Sequence, residues 1–387
     1  MTFSSPDSVL HVSAWREDHG GIQSTLRRHH ECDASLGFAP GFISIFDQTA
    51  TWPGACVSLG CHGWMSIRQV RRRLATAAAA TPCALVVYHD GWGLEWFAPI
   101  DGAARRLVYL HTERAHADEL LRTFDCRVDG FLAVSRGFAD RVRRVLPNFP
   151  GERICELPFF VEPPAWVKGL PERGPLSRPL RLGYAGRVER DHKRLDRLPA
   201  LIAALDRRQV DFRFEVLGDG SYLPELQWQL ARDARVSFAG WRAGEEYWRT
   251  IVGWDVAVLL SDFEGFSRVT MECMCAGVLP VHPDFSPAAT ELLGPMAEQG
   301  LYRTGDVDAA AERIVGLAGL SGEAARTLRR AGIAHLAGHT GEKYDETYCG
   351  FLKRITALPA RATASAPPSW MQKLPLAIYT RLFPRRF

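Results

Sequence analysis

Glu264 and Glu272 stand eight positions apart in the segment Val256-Ala-Val-Leu-Leu-Ser-Asp-Phe-Glu-Gly-Phe-Ser-Arg-Val-Thr-Met-Glu-Cys-Met-Cys-Ala-Gly277, where an apolar run breaks at a Glu-Gly-Phe-Ser turn and resumes with helical periodicity. Two carboxylates so placed can accept hydrogen bonds from the hydroxyls of one sugar nucleotide. The spacing alone more often marks a solvated helix face. The surrounding pattern gives it direction: residues 255–261 read as a buried parallel strand, Ser267 as the cap of the next helix and Gly277 as its end. Glu264 then lies on the loop at the strand's carboxyl end, and Glu272 about one turn into the helix. That end is where open α/β sheets take their ligands and where a helix amino terminus carries partial positive charge.

Three other segments put chemistry at the carboxyl ends of expected strands. In Gly183-Tyr-Ala-Gly-Arg-Val-Glu-Arg-Asp-His-Lys193, Arg187 and Lys193 follow the strand 180–185. A guanidinium fork and an ammonium point charge on one loop suit a diphosphate; a solvated basic loop looks the same. Val216-Leu-Gly-Asp-Gly220 is a glycine turn that permits close backbone approach and, alone, is a tight turn. Phe238-Ala-Gly-Trp241 leaves a strand beside an aromatic ring, which makes Gly240 and Trp241 candidates for the side facing a base.

The elements that must carry these loops alternate along the chain. Short apolar runs at 9–15, 42–46, 84–89, 106–111, 130–135 and 153–159 read as strands, with helical segments between most of them, such as the face Ile67, Val70, Leu74, Ala77. The alternation restarts with strands at 180–185, 212–217, 236–239, 255–261 and 279–282, separated by helical segments 195–207, 223–232, 245–252 and 268–276. Repeated strand–helix alternation implies parallel sheets covered by helices. The expected division is a first domain over 1–165, a Pro- and Gly-rich linker over 166–179, a second domain over 180–350 and a basic tail over 351–387 that crosses back toward the first domain.

In this order the motifs Gly-Arg-x5-Lys, Gly-Asp-Gly, Phe-x-Gly and Glu-Gly-Phe-x5-Glu-x-Met-x-x-Gly resemble the retaining glycosyltransferases of family 4, of the GT-B fold. The resemblance covers the body of the chain and is densest over 181–291. It implies two doubly wound Rossmann-like α/β domains facing a central cleft, and sugar transfer from a nucleotide donor to an acceptor hydroxyl with the anomeric configuration retained. By that resemblance Arg187 and Lys193 bind the donor diphosphate, Glu264 touches the donor sugar, Gly265, Phe266 and Ser267 offer backbone groups to sugar and phosphate, and Glu272 binds the ribose. In the first half, Gly20-Gly21 before a helix looks like the family's glycine loop, with Gly21 facing the phosphates, and His111 looks like its active-site histidine; His89 ends the preceding strand. No cofactor and no metal are implied: the nucleotide sugar is a substrate and the fold is metal-independent. The partners are a nucleotide sugar and a carbohydrate or lipid-linked acceptor. A glycosyltransferase-like binding or scaffold protein without catalysis is the alternative, and the intact charged set argues against it.

The sequence departs from the family pattern where Arg194 follows Lys193 in place of a frequent glycine, where Ser267 replaces a frequent proline, and where Cys273 and Cys275 replace alanines. Asp306-Val-Asp308 has the form of a metal-binding Asp-x-Asp, but its place before an alanine-rich helix reads as an N-cap with a second acid favoured by the helix dipole. His29-His30-Glu31-Cys32 is too compact for two ligands on one helix face to converge on zinc.

Composition bounds the rest. With 387 residues, 47% hydrophobic and 24% charged, the chain has room for about two cores. No apolar run approaches the ~20 residues of a membrane helix and no signal pattern opens the chain, so a cytoplasmic location is expected, with peripheral attachment to the inner membrane face as a further reading. Nine cysteines without a Cys-x-x-Cys pair, among them Cys83, Cys126, Cys155, Cys273 and Cys275, read as reduced, buried small hydrophobes. The net charge of +3 is uneven: no acid follows Glu346, and Lys353, Arg354, Arg361, Lys373, Arg381, Arg385 and Arg386 give the last 41 residues +7, leaving −4 for the body. The apolar and aromatic residues interleaved there, such as Trp370, Ile378, Tyr379 and Phe383, suit an anionic membrane interface better than a nucleic-acid backbone. Packing of the tail on the body is the equal alternative.

Overall fold

The computed structural model describes residues 8–16, 20–49, 52–81, 83–94, 105–113, 117–361, 373, 375 and 378. Phe159–Lys343 forms one compact unit, and the described residues up to Pro158 and from Tyr344 form another. The sequence division at 165, 180 and 350 thus sits, by packing, at 158/159 and 343/344. Part of the expected linker is a helix, Ala165–Lys168.

The first unit is a parallel sheet of seven strands: β1 (Ser8–Ser13), β2 (Ala39–Ser44), β3 (Cys56–Ser58), β4 (Leu85–His89), β5 (Arg105–Leu110), β6 (Gly130–Ala133) and β7 (Ile154–Glu156), in the order β3-β2-β1-β4-β5-β6-β7. β1 and β4 are buried at every position, as befits central strands covered on both faces, and this is why neither alternates apolar with exposed polar residues. The second unit is a parallel sheet of six: β8 (Leu180–Ala185), β9 (Phe212–Leu217), β10 (Val236–Gly240), β11 (Val256–Val258), β12 (Leu279–Pro283) and β13 (Leu301–Tyr302), in the order β10-β9-β8-β11-β12-β13. Both sheets are doubly wound and reverse their winding beside the first strand, so the switch points lie between β1 and β4 and between β8 and β11. β3 and β13, which the sequence pattern omitted, are edge strands of three and two residues, too short to display a period.

Ile67, Val70, Leu74 and Ala77 are buried on the helix Ile67–Ala79, whose N-cap Ser66 and Gln69 close a reciprocal capping box. The helix Gly341–Ala357 contributes Tyr344, Tyr348, Phe351, Leu352 and Ile355 to the first unit's core. Beyond it, the Arg361 amide donates to Asp129 Oδ1 at 2.6 Å, and its guanidinium lies 4.3 Å from the Phe149 ring centroid. The start of the basic tail therefore packs on the first unit. Trp370, Tyr379 and Phe383 lie outside the described residues. Of the five cysteines named above only Cys273 is buried; Cys126 is exposed and the others are intermediate, because loops, an edge strand and a helix end carry them rather than central strands.

Candidate active site

At the carboxyl end of the second sheet, the loops leaving β8, β9 and β10 are joined backbone to backbone. Gly186 N–H donates to Leu217 O at 3.0 Å, Val188 N–H to Asp219 O at 2.8 Å and Gly218 N–H to Gly240 O at 2.9 Å. The Gly218-Asp-Gly220 turn is glycine by necessity: at φ +151°, a Cβ on Gly218 would lie 1.9 Å from Gly186 O, and one on Gly220 would lie 2.4 Å from Val188 O. Two of the three sequence motifs are thus one interlocked platform, which holds the loop carrying Arg187. Gly240 has φ +69°, and Trp241 beside it is 46% exposed.

Lys193 and Glu264, 71 residues apart, form a salt bridge, and Ser261 Oγ donates to the same carboxylate oxygen at 2.8 Å. Burial would raise the Glu264 carboxyl, but Lys193, His192 and the two hydrogen bonds outweigh it and hold it at about 2. His192 stacks on Phe263 at 4.3 Å and its Nε2–H donates to Phe263 O at 2.7 Å. Its Nδ1 then faces Arg187 Nη2 at 3.4 Å as an acceptor. Burial pushes His192 down to about 4, against the pull of Glu264, so the ring is neutral near pH 7. Arg187 is 41% exposed, with Nη1 donating to Glu189 Oε1 at 2.8 Å.

Ser267 caps the helix Arg268–Cys275 by accepting from Thr270 N–H, and Gly277, at φ +69°, follows its end. Glu272 lies on that helix and accepts a hydrogen bond from Tyr247 Oη, while Arg268 Nε is 3.8 Å from its other oxygen. Burial pushes the Glu272 carboxyl up, against the pull of Arg268 and Tyr247. The two glutamates are therefore displaced in opposite directions. Phe266 is 2% exposed and stacks on His339, so its side chain belongs to the core and only its backbone can serve a ligand; Gly265 beside it is half-buried.

In the first unit, Gly21 opens the helix Gly21–Cys32, with extended Gly20 at its cap. His111 directly follows β5 and is 3% exposed. Its amide donates to Asp90 Oδ1 at 2.6 Å, so the loop after β4 fixes the end of β5. His89 lies beside it, with ring centroids 5.0 Å apart.

Residues 179–319 match the family model described as glycosyl transferases group 1. The lipopolysaccharide 1,6-galactosyltransferase of Escherichia coli (strain K12) is 26% identical over 132 residues, 32% of this chain. That match spans 35% of the relative's length. Among solved structures, the sucrose-phosphate synthase of Thermosynechococcus elongatus superposes with a TM-score of 0.70 at 15% identity, covering 90% of this chain and 99% of that one. The lipopolysaccharide outer core galactosyltransferase WaaB in its apo form gives 0.67 at 16% identity over 89% of this chain and 99% of its own. Anabaena Alr3699/HepE in complex with UDP and glucose gives 0.66 at 16% identity over 89% and 99%. The chain has the GT-B fold. Arg187, Lys193, Glu264 and Glu272 all fall within the glycosyl transferases group 1 match; Gly21 and His111 lie before it.

Within this GT-B chain, two residues of the second unit escaped sequence reasoning. Tyr247 reaches Glu272 from a separate helix, Gly244–Val252, and no local spacing announces it. Arg194 adopts φ +53°, the left-handed conformation that favours glycine, and its guanidinium is clamped by Asp196 at 3.0 Å and Asp262 at 2.7 Å. The missing glycine was visible as a departure; the clamp was not. Asp306 caps the helix Val307–Ala318 through Ala309 N–H, and Asp308 pairs with Arg207 and Arg208 at 2.8 and 2.9 Å. His29 meets His11 and Asp33 rather than His30 or Cys32, a set with donor atoms within 4.8 Å of one another.

Proposed function

We propose that the chain is a retaining glycosyltransferase that moves a sugar from a nucleoside-diphosphate donor to a hydroxyl of a carbohydrate or lipid-linked acceptor, in assembly of cell-envelope or extracellular polysaccharide or glycolipid. The observation that carries this reading is the Lys193–Glu264 pair at the switch point of the second sheet, with Arg187 on the same loop as Lys193 and Glu272 on the helix after Glu264, inside the glycosyl transferases group 1 match. The UDP and glucose bound in the Anabaena complex support the donor class, and the lipopolysaccharide for which the E. coli relative is named supports the setting.

In this mechanism Glu272 accepts hydrogen bonds from the ribose hydroxyls, with Tyr247 holding one of its oxygens. Arg187 and Lys193 oppose the charge that grows on the departing diphosphate, aided by the amino terminus of the helix Arg268–Cys275. Each such donor is worth roughly 3 kcal/mol of barrier. Glu264, ionised, orients the sugar hydroxyls. The bond from the anomeric carbon to the phosphate oxygen breaks as the acceptor oxygen bonds to the same face, and the leaving phosphate oxygen takes the acceptor proton. Neither a protein nucleophile nor a metal is required. Gly21 is assigned to the phosphates and His111 is the active-site histidine of the first unit.

Thermal stabilisation by uridine, guanosine, adenosine and cytidine diphosphosugars tests donor binding, since ligand at a hundredfold its Kd adds about 2.7 kcal/mol. One nucleotide class should stabilise the wild type, and Glu272→Gln should lose that response. Stabilisation by none, or an equal response in Glu272→Gln, would refute the donor assignment.

Attachment to an anionic membrane surface is the second part of this reading. Trp64 is 80% exposed just before the helix Ile67–Ala79, which exposes Arg68 and Arg72, and Ser66 at its start bridges to Pro375 of the basic tail. Among the described residues no helix is long and apolar enough to cross a membrane. Co-sedimentation with phosphatidylglycerol vesicles at low salt should be lost when residues 362–387 are deleted; identical sedimentation would remove the tail from the account.

A further inference from the structure

His111 ends a ladder of buried imidazoles. β1, β4 and β5 are adjacent in the sheet, and each delivers one histidine, stepped two residues along from the last: His11 of β1 lies opposite Val87, two before His89 at the end of β4, and His89 lies opposite Tyr109, two before His111 just past β5. Ring centroids of 5.4 Å for His11–His89 and 5.0 Å for His89–His111 follow the strand spacing. The nitrogens connect in series. His11 Nδ1 is 3.1 Å from His89 Nε2, and His89 Nδ1 is 2.8 Å from His111 Nε2. At the other end, His11 Nε2 is 3.1 Å from Asp33 Oδ2, and His29 Nδ1 is 2.9 Å from Asp33 Oδ1. Asp33 and all four histidines are at most 3% exposed.

A carboxylate only accepts, which gives this chain a direction. Burial would raise the Asp33 carboxyl, but the two histidines outweigh it and hold it at about 2, so it is ionised. His11 therefore presents Nε2–H to Asp33. Burial pushes His11 and His111 down to about 4 and His89 well below its ordinary value, so each is neutral near pH 7 with one proton to place. With its proton on Nε2, His11 has a bare Nδ1 and must accept from His89 Nε2–H. His89 then has a bare Nδ1 and must accept from His111 Nε2–H. His111 is left with Nδ1 unprotonated.

We propose that Asp33, His11 and His89 are positioning residues that set the tautomer of His111, making its Nδ1 an acceptor suited to a ligand hydroxyl rather than a donor suited to phosphate. The other groups packed on the ladder do not reverse it. The Tyr344 hydroxyl meets His29 Nε2 at 3.0 Å, the Tyr348 hydroxyl lies 3.5 Å from His11 Nε2, and burial keeps both phenols protonated. Tyr109 packs on the His111 ring at 3.9 Å, and Asp90 binds the His111 amide. The tautomers follow from this geometry with an ionised Asp33 and neutral rings; the role of the hydroxyl ligand rests on the glycosyl-transfer reading.

The test is long-range proton–nitrogen correlation NMR of the full chain labelled with nitrogen-15 histidine at pH 7, with turnover of a panel of uridine, guanosine, adenosine and cytidine sugar nucleotides, UDP-galactose and UDP-glucose among them, measured in parallel. In the wild type His11, His89 and His111 should each show the Nε2–H tautomer. In Asp33→Asn the side-chain amide can donate, so the chain is free to reverse and His111 should become a tautomer mixture. Its kcat should fall about tenfold with a smaller change in KM, the mark of a mis-set tautomer. His11→Gln, which interrupts the ladder, should behave alike and serves if Asp33→Asn does not fold. A His111 proton on Nδ1 in the wild type, a cationic His111, or stoichiometric metal bound at His11 and Asp33 would overturn the assignment. So would an unchanged kcat in both variants. A wild type that turns over no sugar nucleotide of the panel would count against the glycosyl-transfer reading, while the spectra still decide the tautomers.

Discussion

Arg187 and Lys193 carry like charges but sit in different surroundings, and their substitutions should differ. Arg187 is 41% exposed and bonded only to nearby groups, so Arg187→Ala should lower turnover about a hundredfold while leaving the unfolding transition in place. Unchanged turnover would remove the charge assignment. Lys193 instead compensates Glu264, which is 9% exposed. Lys193→Ala strands that carboxylate and should cost about 3 kcal/mol in urea denaturation as well as activity. The pH dependence has a definite sign. A carboxyl held at about 2 when folded stabilises the fold fully above its ordinary value of about 4.3, and that contribution fades as pH falls from there toward 2. Lys193→Ala should flatten this acid limb. Glu272 is raised rather than lowered, so nucleotide affinity should weaken first at this carboxylate as pH falls. Tyr247→Phe removes a hydrogen bond that favours the ionised form and should weaken nucleotide binding more at pH 5.5 than at pH 8, as read by calorimetry.

At the scale of loops and helices, Arg194 holds a left-handed backbone at φ +53° and spans Asp196 and Asp262, just before the Glu264 turn. Arg194→Gly relieves the backbone and loses a partly exposed clamp, terms of similar size, so stability should stay within about 1 kcal/mol. Amide exchange over residues 187–197 and 260–266 should quicken. Equal exchange would mean that the clamp does not order these loops. Gly218→Ala has no such compensation, because its Cβ meets Gly186 O, and it should cost more than about 2 kcal/mol. These elements also mark what the sequence discloses. β4 was legible as an apolar run buried on both faces, β8 and β9 as apolar positions alternating with Arg181 and with Arg213 and Glu215, and the glutamates, Arg187 and Lys193 could be placed on loops because parallel strands direct their carboxyl ends to one side. The edge strands β3 and β13, the Tyr247 hydrogen bond and the histidine ladder were not legible. The edges are too short to show a period, and the contacts join residues 22 to 78 positions apart that no local pattern relates.

Across the whole chain, two sheets of one topology carry unequal shares of recognisable chemistry. The second unit holds the family match, the interlocked glycine platform and the charges proposed to meet the donor. The first unit holds the histidine ladder and takes back the C-terminal segment, where Tyr344 and Tyr348 pack on His29 and His11. The ladder and the returning segment are thus one core, which ties the placement of His111 to residues more than 200 positions later in the chain. The claim of sugar transfer is tested most directly by chromatographic measurement of nucleoside diphosphate released from a panel of nucleotide sugars. The purified chain is incubated with chelator and a truncated lipopolysaccharide acceptor, beside Arg187→Ala. The expected result is release matched by sugar incorporated into the acceptor, for one nucleotide class, reduced about a hundredfold in the variant. Nucleotide binding without any release or incorporation from the panel would contradict it.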